Sequence, residues 1–206
     1  MEDILYLYSL PYDPLRPVIC VDERLCVLID DLIVPLPMKQ GKAERFDYHY
    51  QRNGICNLFM CFEPLTSHRF LEVTDTRTKV DYCAFMKKVE QRYQAAEVIV
   101  VIQDNLNTHD PGSFYSGLAP QEAFALSRRF DFHYTPPHAS WLNMVEIELS
   151  CLAQQSLDRR IADMDTLRRE AQIWARERNE ARATVHWQFT QTGARDKFQR
   201  FYPKLS

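Results

Sequence analysis

The feature that most constrains this chain is Val98 to Asp104, VIVVIQD, in which five apolar residues fill six positions and are β-branched throughout. A run of this kind, with no polar alternation, reads as a strand covered on both faces, ending at Asp104. Its exit carries a carboxylate, Asp104, followed by Asn105, Asn107, Thr108 and His109. In open α/β sheets functional side chains gather where strands end and helices begin. Asp and Asn are also ordinary turn residues, so the stretch alone leaves the role of Asp104 open.

The elements around this strand define a fold class. Residues 1–17 are an apolar, proline-broken lead-in. Val18 to Ile29 reads as a first strand interrupted by Asp22 and Glu23. A buried carboxylate must be paired, protonated or bound to a metal, so Asp22 is a candidate ligand. Asp31 to Gly41 reads as a proline-rich loop and Asn53-Gly54 as a turn. Asn57–Glu63 and Arg69–Thr74 then form an antiparallel hairpin. Thr78 to Ala95 places Tyr82, Phe85, Met86 and Val89 at helical spacing, as core packing. After the strand ending at Asp104 come a helix from Pro120 to Arg129 and a fifth strand, Phe130 to Tyr134. The order β-β-β-α-β-α-β-α is that of an α/β protein with a ribonuclease H-like fold, a mixed five-stranded sheet flanked by helices, although order alone also fits other α/β folds.

Composition narrows the context. The 206 residues are enough for one domain of ordinary to large size. The expected division is a lead-in at 1–17, a ribonuclease H-like core at 18–157 and a helical extension packed on it at 158–206. The formal charge of −3 is unevenly spread: residues 151–206 hold eleven basic against seven acidic side chains, which leaves −7 for residues 1–150. An acidic body with a basic flank fits a metal centre beside a phosphate-binding surface. Six cysteines without a CxxC pair read as reduced core residues, and zinc is disfavoured. With no signal peptide and no long apolar run, the chain is expected in the cytosol, with no membrane partner.

A third acid comes from His138 to Leu157, where Leu142, Val145, Leu149 and Leu152 form a core-facing stripe and Ser140 is the expected N-cap. Glu146 borders that stripe near the helix start, whereas Glu148 lies about 200° around from it. Glu146 is therefore the acid able to face the strand ends, and Glu148 is expected to be solvated or paired. Glu146 alone could equally complement the helix dipole. Together with Asp22 and Asp104 it offers a hard-oxygen donor set suited to magnesium.

The segments VDE, QDNLNTH and HASWLNMVEIE resemble the catalytic domain of DDE transposases, in the bacterial insertion-sequence branch of the mariner superfamily. The likeness runs on through RFDYHYQRNGICNLFMCFEPL, LDRRIADMDTLRREAQIWARERN and VHWQFTQTGARDKFQRFYP, so it covers Ile19 to Pro203. By match to the motif, the resemblance implies that Asp22, Asp104 and Glu146 are the catalytic, metal-binding triad. It implies two Mg2+ or Mn2+ ions, hydrolysis at transposon ends, and strand transfer into target DNA without a covalent intermediate. Implied partners are DNA, a second copy of the chain as a homodimer on that DNA, and a separately encoded or upstream helix-turn-helix region. No such region is expected within this sequence, which starts almost at the first catalytic strand.

Around the triad, Asn107, His109, His138, Trp141, Arg159 and Arg160 are candidate DNA contacts, each with an alternative role in loop, core or solvated helix. Trp174 and Trp187 read as core. Close relatives usually carry Gln at the position of Val27 and Gly near Ser67-His68. The alternative function is a catalytically silent, truncated transposase acting as a DNA-binding or inhibitory partner. Ribonuclease H activity on hybrids shares the fold and metals but has no supporting motif.

Overall fold

The computed structural model describes residues 1–45 and 47–199. Its centre is a five-stranded sheet of β1 (Val18–Asp31), β2 (Tyr50–Glu63), β3 (His68–Thr74), β4 (Ile99–Gln103) and β5 (Phe130–Tyr134). The spatial order is β3-β2-β1-β4-β5. The β1–β2 and β2–β3 pairs are antiparallel, and the β1–β4 and β4–β5 pairs parallel. This is the mixed, ribonuclease H-like sheet that the element order predicts. All five residues of β4 are buried, because helices cover both of its faces.

The pleat sorts side chains by parity. Val18, Cys20, Met60, Phe62, Val100 and Ile102 pack with α1 (Glu2–Ser9), α4 (Val145–Gln155) and α5 (Met164–Glu180). Ile19, Val21, Phe59, Cys61, Ile99 and Val101 pack with α2 (Lys79–Arg92) and α3 (Pro120–Ser127). Tyr82, Phe85, Met86 and Val89 are all buried on the inner side of α2, whose start is fixed by a Thr78–Asp81 capping box. Residues 1–17 are more than a lead-in. Their helix α1 buries Ile4, Leu5 and Leu7, and it packs against α6 (Gln191–Lys197). Helix α5 packs on β3. Residues 200–206 of the expected C-terminal extension lie outside the described residues.

Two expectations are corrected. Asn53-Gly54 lies inside β2 and makes no turn: the register shifts between Leu28 and Ile29, leaving Asn53 unpaired as a β-bulge beside Gly54 at φ +139°. Glycine supplies the required backbone there, so β2 runs on as far back as Tyr50. The second correction is at the helix predicted from His138. It is preceded by a separate 3-10 turn, Ser140–Leu142, and begins at Val145 with Met144 as its cap residue, so Ser140 caps nothing. His138 itself adopts φ +60°. Ser67 also adopts φ +60°.

Candidate active site on β1 and at the end of β4

Parallel pairing of β1 with β4 sets Cys20 opposite Ile102, and two residues further along each strand stand Asp22 and Asp104. Both continue the parity of the face covered by α4. Asp22 is 7% exposed. Its Oδ1 accepts the Glu23 amide at 2.8 Å, and its Oδ2 accepts Asn143 Nδ2 at 3.4 Å. Asn143 also donates to the Val21 carbonyl at 2.9 Å, which ties the entry of α4 to β1. Just beyond it, Glu146 stands exposed in the first turn of α4, its amide donating to the Asn143 carbonyl. Burial chiefly, and then the charges of Glu23, Glu146 and Asp104, push the Asp22 carboxyl up to about 7. Asp22 therefore feels the charges of both other acids predicted from sequence. Among the described residues no cationic side chain pairs with the buried carboxylate at their centre.

A second layer supports Asp104 from the other face of the sheet. Glu23, next to Asp22 on β1, points the opposite way, and its Oε2 lies 2.7 Å from His109 Nε2. The other ring nitrogen of His109, Nδ1, lies 2.5 Å from Asp104 Oδ1. Arg77 Nη1 closes the chain on Glu23 Oε1 at 3.0 Å. Burial opposes a charge on His109, but hydrogen bonds to Asp104 and Glu23 and their negative charges raise its pKa to about 9. Burial likewise pushes Asp104 upward, and the His109 hydrogen bond and charge more than offset it, so that its pKa falls below the ordinary value. The His109 carbonyl accepts from Gln103 Nε2 at 2.9 Å and Tyr134 OH at 3.1 Å, and Tyr82 OH donates to Gln103 Oε1. These bonds fix the loop after β4.

The remaining predicted residues are scattered. Asn107, His138 and Trp141 are exposed, and Trp141 lines an open groove with Glu146. His109 is 1% exposed with both ring nitrogens engaged, so it is not placed to meet a phosphate. Arg160 binds Asp31 and the carbonyls of His49 and Asp47, and Arg159 pairs with Glu170. Asp31 is nine residues beyond Asp22 on β1, about 30 Å at the rise of an extended strand. Arg160 is thus a clamp on the far end of the β1–β2 hairpin. Glu148 is fully buried between Arg69 and Arg178. Trp174 is core, and Trp187 packs partly buried against it.

Glu23, Asn143 and Arg77 join the site without having been singled out by the sequence pattern. Glu23 is legible as a second acid in an apolar strand, and Asn143 as a polar residue inside a helical apolar stripe. Arg77 carries no signal.

Among the described residues no three Asp, Glu, His or Cys side chains stand close enough to hold a metal ion. The donor chemistry nevertheless suits a hard cation, since the buried Asp22 accepts from N–H groups and the Asn143 Oδ1 atom is buried without a hydrogen-bond partner among the described residues. Asp104 has its Oδ1 engaged by His109, and Glu146 is exposed in the first turn of α4. Among the described residues no helix is long and apolar enough to cross a membrane.

A family model described as DDE superfamily endonuclease matches residues 17–168. No curated protein matches the chain in sequence. Among solved structures, it is similar to a chain of the Mos1 mariner paired end complex with Mn, with a TM-score of 0.56 and 14% identity over 88% of this chain and 54% of that one. It is also similar to a chain of the simian T-cell lymphotropic virus intasome in complex with PP2A regulatory subunit B56 gamma. There the TM-score is 0.50 and the identity 14%, over 96% of this chain and 59% of that one. The chain thus spans little more than half the length of either.

Proposed function

The chain belongs to the DDE superfamily of endonucleases, and from that premise we propose that it cuts DNA phosphodiester bonds with Asp22, Asp104 and Glu146 as its metal-binding, catalytic acids. The observation that carries this is the register of β1 and β4, which sets Asp22, on β1, beside the end of β4 that Asp104 follows, with the Asn143 bond holding the start of α4 against Asp22. The similar Mos1 mariner paired end complex is a complex with Mn, which supports a divalent ion here.

Each side chain has a task in this reading. Asp22, buried and short of cationic partners among the described residues, provides the fixed carboxylate, and Asn143 sets its rotamer through Oδ2. Asp104 presents its second oxygen to the site while Oδ1 is held by His109. Protonated His109 donates one N–H to Asp104 and the other to Glu23, and keeps the Asp104 carboxylate ionised and oriented. Glu146 approaches from α4 on the open side, where a strand of DNA would enter. Two divalent ions, when bound, would stabilise the attacking and leaving oxygens of an in-line displacement. The protein's share is positioning and exclusion of competing geometries. The attacking oxygen is first water, giving a 3′-hydroxyl end, and then that hydroxyl on a target strand. Membership of the bacterial insertion-sequence branch, two ions, a homodimer on DNA and a separate helix-turn-helix partner belong to the same proposal.

Nicking of supercoiled plasmid by the purified chain in magnesium or manganese tests it. Nicking abolished by Asp22→Asn, by Asp104→Asn and by Glu146→Gln is the expected result. A nicking rate that survives all three substitutions would overturn the assignment.

A further inference from the structure

Trp141 is 43% exposed and stands five residues before Glu146. Its indole is held rigidly. It stacks on Trp187 at 6.4 Å between centroids and 15° between planes, and it meets Phe189 edge-on at 5.4 Å. Trp187 is itself fixed, packing against Tyr8 at 5.4 Å and donating its Nε1 hydrogen to the Phe189 carbonyl at 2.8 Å. The result is an aromatic wall whose outer ring is left uncovered. Below it opens a groove of about 570 Å³ lined by Trp141, Trp187, Phe189 and Phe198, with His186 and Lys197 at its edge. The volume falls within the ordinary range of ligand sites. A second open groove of about 420 Å³ shares Trp141 and Ile147 with the first and contains Glu146. The aromatic groove therefore adjoins one that reaches Glu146.

We propose that this groove is a subsite for an unpaired nucleobase of the cleaved DNA strand, with Trp141 as its stacking platform. The proposal rests on the DNA endonuclease reading and deepens it. Three observations and the covered faces of paired bases point to this occupant. The wall presents a flat π-surface, and nucleobases stack on such surfaces with little regard to sequence. Lys197 lies 6.0 Å from the Phe189 ring, a cation beside the wall where the phosphate of the same nucleotide would run. The groove meets, at Trp141 and Ile147, the one that Glu146 lines, so a strand whose phosphate lies at the acids leads its neighbouring base toward Trp141. Lastly, bases inside a duplex have both faces covered, so only an unpaired one has a face to give. Trp141 is then a positioning residue that sets which phosphate reaches the acids.

The test compares the full chain on two duplexes in calcium, one blunt and one with a short 3′ overhang carrying 2-aminopurine, whose fluorescence falls when it stacks. The expected result is an overhang bound about tenfold more tightly than the blunt end, with quenching, as the usual energy of base–aromatic stacking implies. In Trp141→Ala the tenfold advantage and the quenching disappear, and in Trp141→Phe most of both remain. An advantage and quenching that persist in Trp141→Ala would overturn the subsite while leaving the endonuclease reading in place. Failure of the unsubstituted chain to bind either duplex would overturn both.

Discussion

Substituting Glu148 by Gln should be among the most damaging single changes available outside the acidic site. The carboxylate is fully buried, with Oε2 2.8 Å from Arg69 Nε and Oε1 3.0 Å from Arg178 Nη2. Arg69 is itself 1% exposed, pressed between the rings of Phe62 and Trp174. Its remaining donors go to Asn179 Oδ1 and the Ala183 carbonyl. At 2.8 Å and an effective dielectric near 20, the pair attracts by about 6 kcal/mol before desolvation is subtracted. The net effect of removing one member of such a pair is ~3–5 kcal/mol, because the other charge stays buried. The Arg178 side chain keeps 19% of its surface in water and can turn outward, which places Glu148→Gln near 3 kcal/mol, the lower end of about 3–5. For a chain of this size that is a fall in Tm of roughly 6–12 °C. Urea denaturation of the parent, Glu148→Gln and the double variant Arg69→Met with Glu148→Leu tests the reasoning. The single change should lose about 3 kcal/mol and the double much less, since an apolar pair leaves no stranded charge. A single variant within about 1 kcal/mol of the parent, or a double as unstable as the single, would refute it.

Three further outcomes follow from the same structure. Asn143→Ala removes the donor to Asp22 Oδ2, and metal affinity measured by calorimetry should fall about 10–100-fold, with unchanged affinity the contrary result. Glu63 has its carboxyl raised by burial, with Thr66 and Tyr93 offsetting only part, and its Oε1 has no hydrogen-bond partner among the described residues. Its favourable contribution is present below the unfolded pKa and lost as pH rises through the folded one. Glu63→Gln keeps the neutral form throughout, so in urea denaturation its stability advantage should grow as pH rises above the ordinary carboxylate range; a pH-independent difference would show that Glu63 does not titrate with folding. Gly54→Val meets no atom within 4 Å yet forces a β-branched residue to φ +139°, so a loss of about 1–3 kcal/mol in thermal melts is expected from backbone strain alone, and a neutral result would remove the bulge argument.

Much of this fold is legible in the sequence because one-dimensional periodicity governs it. The VIVVIQ run reads as a strand buried on both faces, and Ile99–Gln103 is that strand. Tyr82, Phe85, Met86 and Val89 read as one helix face and are buried as one. What pattern alone misplaces depends on neighbours in space. Asn53-Gly54 carries a turn signature, but its partner strand continues past it, so the same backbone freedom makes a bulge. Ser140 has the composition of a cap, but the chain first makes a 3-10 turn that Tyr8 secures by donating to the Leu142 carbonyl from α1. At the site, Asp22, Asp104 and Glu146 are readable from their places in the pattern. The supporting Glu23–His109–Asp104 bridge is not, because Glu23 and His109 are 86 residues apart and nothing in either segment announces the other.

The most direct measurement is to map where a bound divalent ion sits. Iron(II), with peroxide and ascorbate, cuts backbone close to an ion site, and the fragments can be read by mass spectrometry. The account predicts cuts clustered at three places in the chain, around Asp22, Asp104 and Glu146, competed away by excess magnesium and lost in Asp104→Asn. Cuts confined to other segments, or cuts at these three that survive both magnesium and Asp104→Asn, would contradict it.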